Sequence, residues 1–208
     1  MYHLTRFAYD KKRAILWKAL YEAVLEKYIQ PDFTVLELGA GYCDLINQVR
    51  CKKKIAIDEW KEFPKYAGGD VIARACKVTE IDFLEDDSID MVFASNLFEH
   101  LSRDEMFLTL NLLRVKMKTS AMLVIIQPNY RYAYKEYFDD FTHRTIYTDT
   151  SLADLLESQG FHVIEKRGRF LPLSIKSRFP VKAPLIKLYL QLPFKPMAKQ
   201  MLIRAERI

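Results

Sequence analysis

Short apolar runs rich in β-branched residues alternate along this chain with segments of helical periodicity, and that alternation limits the fold more than any other feature. Phe33 to Leu38, Lys54 to Ile57, Val71 to Val78, Ile89 to Ala94, Ala121 to Gln127, His162 to Lys166 and Met201 to Ala205 read as seven strands. Residues 10–29 read as a helix, with Leu16, Leu20, Val24 and Tyr28 recurring on one face and Pro31 marking the end. Tyr42 to Val49 and Asp104 to Met117 read as two more, the second presenting Met106, Leu110, Leu113 and Met117 on one side. Ser151 to Gln159 is a further helix, closed by Gly160 as its C-terminal glycine. Strands that alternate with helices build βαβ units. The expectation is one α/β domain over residues 1–208, Rossmann-like, with a seven-stranded, mostly parallel sheet and helices on both faces.

The 208 residues, half of them apolar, suffice for a single core. No apolar run reaches the roughly 18 residues of a membrane helix, and no leader pattern opens the chain. The expected location is cytoplasmic. Cys43, Cys51 and Cys76 lack the spacing of a zinc or disulfide framework, and no other metal motif is present, so metal assistance is not expected. The net charge of +5 is uneven, because Lys166 to Arg204 holds ten Lys or Arg and no acid. Within it, residues 168–198 form a basic, proline-punctuated insertion, and Pro184 can start a short helix through Leu192. Such a helix can pack on its own domain, meet a second copy in a homodimer, or lie on an anionic membrane. No RNA-binding module is recognisable, and nucleic acid is not an expected partner.

The stretch "VLELGAGYCDL", residues 35–45, places a glycine turn after the first strand. Glycines there let the backbone turn tightly and approach a ligand. Asp58, ending the second strand, can accept both hydroxyls of a ribose in any adenosine cofactor. The spacing is more selective. A dinucleotide loop would put Asp44 at its third glycine, facing pyrophosphate with the wrong charge. A ligand without phosphate suits the loop better.

These residues resemble the first motif of class I S-adenosylmethionine (SAM)-dependent methyltransferases, with Glu37, Gly39 and Gly41 matching and Cys43 in place of the third glycine. "IAID" resembles the ribose motif, and "SIDMVFASNLFEHL" (88–101) resembles the fourth-strand motif, with Asn96, Glu99 and His100 in place. "QPNYRYAYKEYFDDFTHRT" (127–145) resembles a branch of methyltransferases associated with polysaccharide and lipopolysaccharide assembly. The resemblance implies a class I methyltransferase fold, SAM as cofactor and S-adenosylhomocysteine as product. It assigns the cofactor to Glu37, Gly39, Ala40, Gly41, Asp58 and Asn96. The family often has an acid after the third strand for the adenine amino group; Lys77 stands there, which leaves Val78 and Thr79 for that contact. The turn before the fifth strand, "KMKTSA", also lacks its usual glycine.

A hydroxyl acceptor must lose a proton during methyl transfer, which a histidine or carboxylate can take. His143, in "YFDDFTHR", is the expected base, aided by Asp140, while His100 sits over the cofactor pocket. Asn129, Tyr130 and Arg131 are expected on the acceptor side. "QPNY" follows the fifth strand rather than the fourth, so it is not the N/D-P-P-Y motif of amino-group methyltransferases. The expected reaction is transfer to an oxygen of a sugar or lipid-linked glycan. The alternatives are a small lipid, quinone or amine acceptor, and a module that binds SAM or its product without turnover.

Overall fold

The structure, a computed structural model, describes residues 9–173 and 181–208. Segment 174–180 of the basic insertion therefore lies outside the described residues. The seven strands are β1 (Thr34–Leu38), β2 (Lys53–Asp58), β3 (Val71–Ala75), β4 (Ile89–Ser95), β5 (Met117–Pro128), β6 (Phe161–Pro172) and β7 (Ala198–Arg207). They form one sheet in the order β3-β2-β1-β4-β5-β7-β6. The first five run parallel, and β7 lies antiparallel between β5 and β6. Chain order reverses between β1 and β4, and in open sheets of this kind ligands bind at the C-terminal strand ends there.

The central strands are buried on both faces, which explains their near-continuous apolar sequence. Period-two alternation sends Leu36, Leu38, Val92 and Ala94 into one core and Val35, Met91 and Phe93 into the other. The first core is closed by Met106, Leu110 and Leu113 of α2 (Arg103–Lys116) and, beyond the four-residue α3 (Tyr130–Ala133), by Leu152 and Leu156 of α4 (Asp149–Ser158). The second is closed by Trp17 and Leu20 of α1 (Lys11–Leu20) together with Leu25 and Phe170. A capping box starts α2: Ser102 and Glu105 each accept the other's backbone N–H, at 3.2 and 2.8 Å. Gly160 ends α4 at φ +79°, as its position predicts.

Several boundaries depart from the periodicity. The N-terminal helix is α-helical only to Leu20, then passes through a π turn and a 3₁₀ turn to Tyr28. The helix expected at 42–49 is replaced by turns and one 3₁₀ turn at Ile46–Gln48. Its cause is local: Gly39, Gly41 and Cys43 all sit in the left-handed region, at φ +64°, +52° and +56°, and an α-helix cannot pass through such residues. β3 stops at Ala75 rather than Val78. β6 and β7 outrun their apolar runs because antiparallel pairing continues through backbone bonds, with register shifts, beyond the packed core. The short helix α5 (Ala183–Gln191) follows Pro184 as expected and packs against α1, with Lys187 2.6 Å from Glu22 and Leu190 buried.

Candidate active site

The glycine turn is closed by two carboxylates. Glu37, buried on β1, accepts the Ile46 N–H at 3.0 Å. Asp58, at the end of β2, accepts the Gly41 N–H with one oxygen and the Trp60 N–H with the other, each at 2.8 Å. Burial pushes the Glu37 carboxyl up to about 8, against the pull of the Ile46 N–H, so it is protonated at neutral pH. Asp44 is buried beside the turn and paired with Arg13 at 2.9 Å. Ala40 is also buried, its N–H on the Ile57 carbonyl at 3.0 Å. A Cβ at residue 39 would meet Leu97 at 3.1 Å, a tight contact added to the φ of +64° that favours glycine.

Cys43 is wholly buried, and burial pushes its thiol up to about 12. It is a core residue carrying a backbone conformation that glycine would adopt without strain. Trp60, Tyr66 and Tyr42 stack over the turn at centroid distances of 4.8–5.4 Å. After β3, Val78 is buried, Thr79 half-buried and Lys77 exposed. Glu80, which sequence reasoning passed over, accepts the Lys77 N–H at 3.1 Å.

Leu97 links this turn to a second group of residues. It touches Gly39, and its carbonyl accepts the His100 N–H at 3.0 Å. His100 and His143 lie edge to face at 4.8 Å, and Tyr137 packs on His143 at 4.5 Å. Thr142 Oγ1 lies 2.9 Å from His100 Nδ1 and 2.6 Å from Asp140 Oδ1. Thr142 donates its hydroxyl proton to Asp140, which leaves its oxygen to accept from His100 in the Nδ1–H tautomer. Asp140 is thereby coupled to His100 through Thr142, and its carbonyl accepts the His143 N–H at 3.2 Å. Burial, and then the neighbouring His143, lower the His100 pKa, so the ring is neutral at neutral pH. The Glu99 carbonyl accepts the Arg144 and Thr145 N–H groups at 2.8 and 3.1 Å, which clamps the β4 end to the 137–145 loop.

Other expected positions fall differently. Asn96 is exposed at φ +48°, its Oδ1 accepting from Gln200 at 3.0 Å. Asn129 is fully buried; its amide donates to Asp149 and the Gly168 carbonyl, both at 2.9 Å, and its oxygen accepts the Arg131 N–H. Its polar atoms hold the loop between β5, Asp149 and β6. Tyr130 is half-buried, edge-on to Tyr137, and Arg131 is exposed. Two buried polar residues outside the expected set carry side-chain atoms without hydrogen-bond partners among the described residues, Glu99 and Gln127. Burial pushes the Glu99 carboxyl up to about 8. The sequence hint for Glu99 was its place in "FEHL"; Gln127, at the end of an apolar strand, offered only its polarity. A cavity of about 460 Å³ lined by Ser102, Arg103, Arg144, Thr145 and Ile146 adjoins this group along the chain.

The fold recurs in solved structures. A SAM-dependent methyltransferase from Archaeoglobus fulgidus superposes with a TM-score of 0.71 at 22% identity, over 94% of each chain. The fold is that of class I SAM-dependent methyltransferases. A geranyl diphosphate methyltransferase in complex with SAM gives a TM-score of 0.65 at 11% identity, over 94% of this chain and 85% of that one. A Thermotoga maritima SAM-dependent methyltransferase, a possible histamine N-methyltransferase, gives 0.66 at 15%, over 95% and 91%. No family model and no curated protein sequence matches the chain. Among the described residues no helix is long and apolar enough to cross a membrane.

Proposed function

We propose that the protein is a SAM-dependent methyltransferase that moves a methyl group to an oxygen of a sugar or of a lipid-linked glycan. The observation that carries this reading is the junction at Leu97, where a glycine turn closed on Asp58 meets the His100–Thr142–Asp140–His143 group. The turn suits SAM. Gly39 leaves the strand end bare, and the Asp58 carboxylate has lone pairs beyond its two N–H partners. When bound, SAM supplies a methyl carbon activated by a sulfonium and departs as S-adenosylhomocysteine.

Glu37, neutral, holds the turn in shape while Gly39, Ala40 and Gly41 offer their backbone. Asp58 accepts the ribose hydroxyls, Val78 and Thr79 flank the adenine, and Asn96 faces the cofactor from the β4 end. His143 would take the proton that the acceptor hydroxyl loses. The positive charge then rests on the imidazolium, which the Asp140 carboxylate nearby favours. Tyr130 and Arg131 line the acceptor side. Arg103 and Arg144 suit an anionic group on the acceptor. The exposed Leu185 and Leu188 of α5, beside exposed Lys182, support peripheral contact with an anionic membrane that carries such an acceptor.

A second reading, a small lipid or amine acceptor, is favoured by the two structural neighbours named for geranyl diphosphate and histamine. Calorimetric titration with SAM, S-adenosylhomocysteine and NAD tests the cofactor. Binding of the first two at micromolar levels, at least tenfold weaker in Asp58→Ala, is the expected result; binding of NAD alone, or of none, overturns it. A screen of glycans, prenyl diphosphates and amines with radiolabelled SAM then separates the acceptors.

A further inference from the structure

The group around Leu97 holds three donors that the chain supplies from two separated segments. One carboxylate oxygen of Glu99 and one ring nitrogen each of His100 and His143 lie within 4.8 Å of one another. Two imidazoles and one carboxylate are a donor set used for zinc and for iron- or manganese-type ions. A second observation stands apart from that spacing. Glu99 has no exposed surface, and neither of its carboxylate oxygens has a hydrogen-bond partner among the described residues. A side chain so placed lacks the partner that buried polar groups ordinarily have.

We propose that Glu99, His100 and His143 bind one divalent transition-metal ion of the zinc or manganese type. The hydrogen bonds around His100 prepare it for this. Thr142 gives its only hydroxyl proton to Asp140, so its oxygen accepts from His100 Nδ1–H, and the His100 lone pair resides on Nε2. A metal-bound histidine ordinarily donates its other N–H to a group of this kind, which fixes the tautomer and ring plane. Tyr137, wholly buried and bonded to the Thr145 carbonyl at 2.6 Å, supports the His143 ring from behind. Metal–ligand bonds of about 2.0–2.2 Å would draw the three donors to roughly 3.0–3.5 Å apart. The His143 side chain, on a loop, supplies that closure, while Glu99 and His100 stay on the turn that ends β4. Three protein ligands leave an open position.

The site stands whether or not the methyltransferase reading holds. Where both hold, His143 would be a ligand in the loaded protein and not the base, and the ion would acidify an acceptor hydroxyl bound at the open position, its proton passing to solvent.

The test uses the full chain stripped with a chelator and titrated calorimetrically with zinc chloride and with manganese chloride. Cobalt(II) substitution followed by visible absorption provides a second readout. The expected result is one ion per chain at micromolar affinity or tighter. Glu99→Gln and His143→Asn, each shown folded by circular dichroism, should each weaken it at least tenfold. His162→Ala, an exposed histidine outside the group, should leave it unchanged. Asp58→Ala should lose SAM yet keep the ion, which separates failure of this site from failure of the cofactor reading. Absence of binding to the folded wild-type chain, or affinity unchanged in both ligand variants, overturns the proposal.

Discussion

Replacing Glu37 by Gln should make the protein's stability less sensitive to pH, by an amount that follows from one buried carboxyl. Glu37 sits on β1 with its side chain shut inside the glycine turn, and burial raises its pKa from 4.5 to about 8. Between those two values the folded protein keeps a proton that the unfolded chain releases. Stability from this group is therefore fully present below the unfolded value and is lost as pH rises toward the folded one. Each pH unit inside that window is worth about 1.4 kcal/mol. From pH 5.5 to 7.5 the wild type should lose about 2–3 kcal/mol on account of Glu37. Glutamine mimics the neutral acid, and its carbonyl oxygen can still accept the Ile46 N–H. The variant lacks that loss, while the slope from Glu99 is common to both proteins and cancels in their difference. Urea unfolding of the cofactor-free protein at the two pH values gives the four free energies required. Relative to wild type, Glu37→Gln should gain about 2–3 kcal/mol on going from pH 5.5 to 7.5. A difference between the two proteins that stays constant with pH would refute the argument that Glu37 is held protonated by burial.

Two further outcomes follow from the same turn. Gly39→Ala puts a Cβ at φ +64° and 3.1 Å from Leu97; it should cost about 1–3 kcal/mol by thermal or urea unfolding and weaken SAM binding in the same calorimetric assay. Of the three thiols, Cys43 should stay unmodified by a disulfide reagent in the native protein, while Cys51 and Cys76, both half-buried, react; equal rates at all three would contradict the placement of Cys43 in the core.

The motif residues were legible because their chemistry is local. Gly39 and Gly41 announce a left-handed turn, Asp58 announces a carboxylate at a strand end, and "SNLFEHL" carries a polar tail on an apolar strand. Asn129 shows what local chemistry leaves out. An asparagine after a strand looks like a ligand, yet its partners, Asp149 and Gly168, are distant in sequence and consume its amide. The helix expected after the glycine turn failed because apolar periodicity from Tyr42 to Val49 says nothing of the backbone sign at Cys43, which closure of the turn on Asp58 and Glu37 determines.

By itself, the sequence determined the α/β class, the seven strands and the position of the glycine turn, because periodicity and strand-end chemistry are properties of neighbouring residues. Only the tertiary structure decided three other matters. It brought the 137–145 loop onto the β4 end through the Glu99 carbonyl, setting His143 against His100. It buried Glu99 without a hydrogen-bond partner among the described residues, and it laid α5 on α1 rather than leaving its Leu190 exposed. Those outcomes depend on contacts between segments far apart along the chain, whose register is set by the sheet as a whole and by no single stretch of residues.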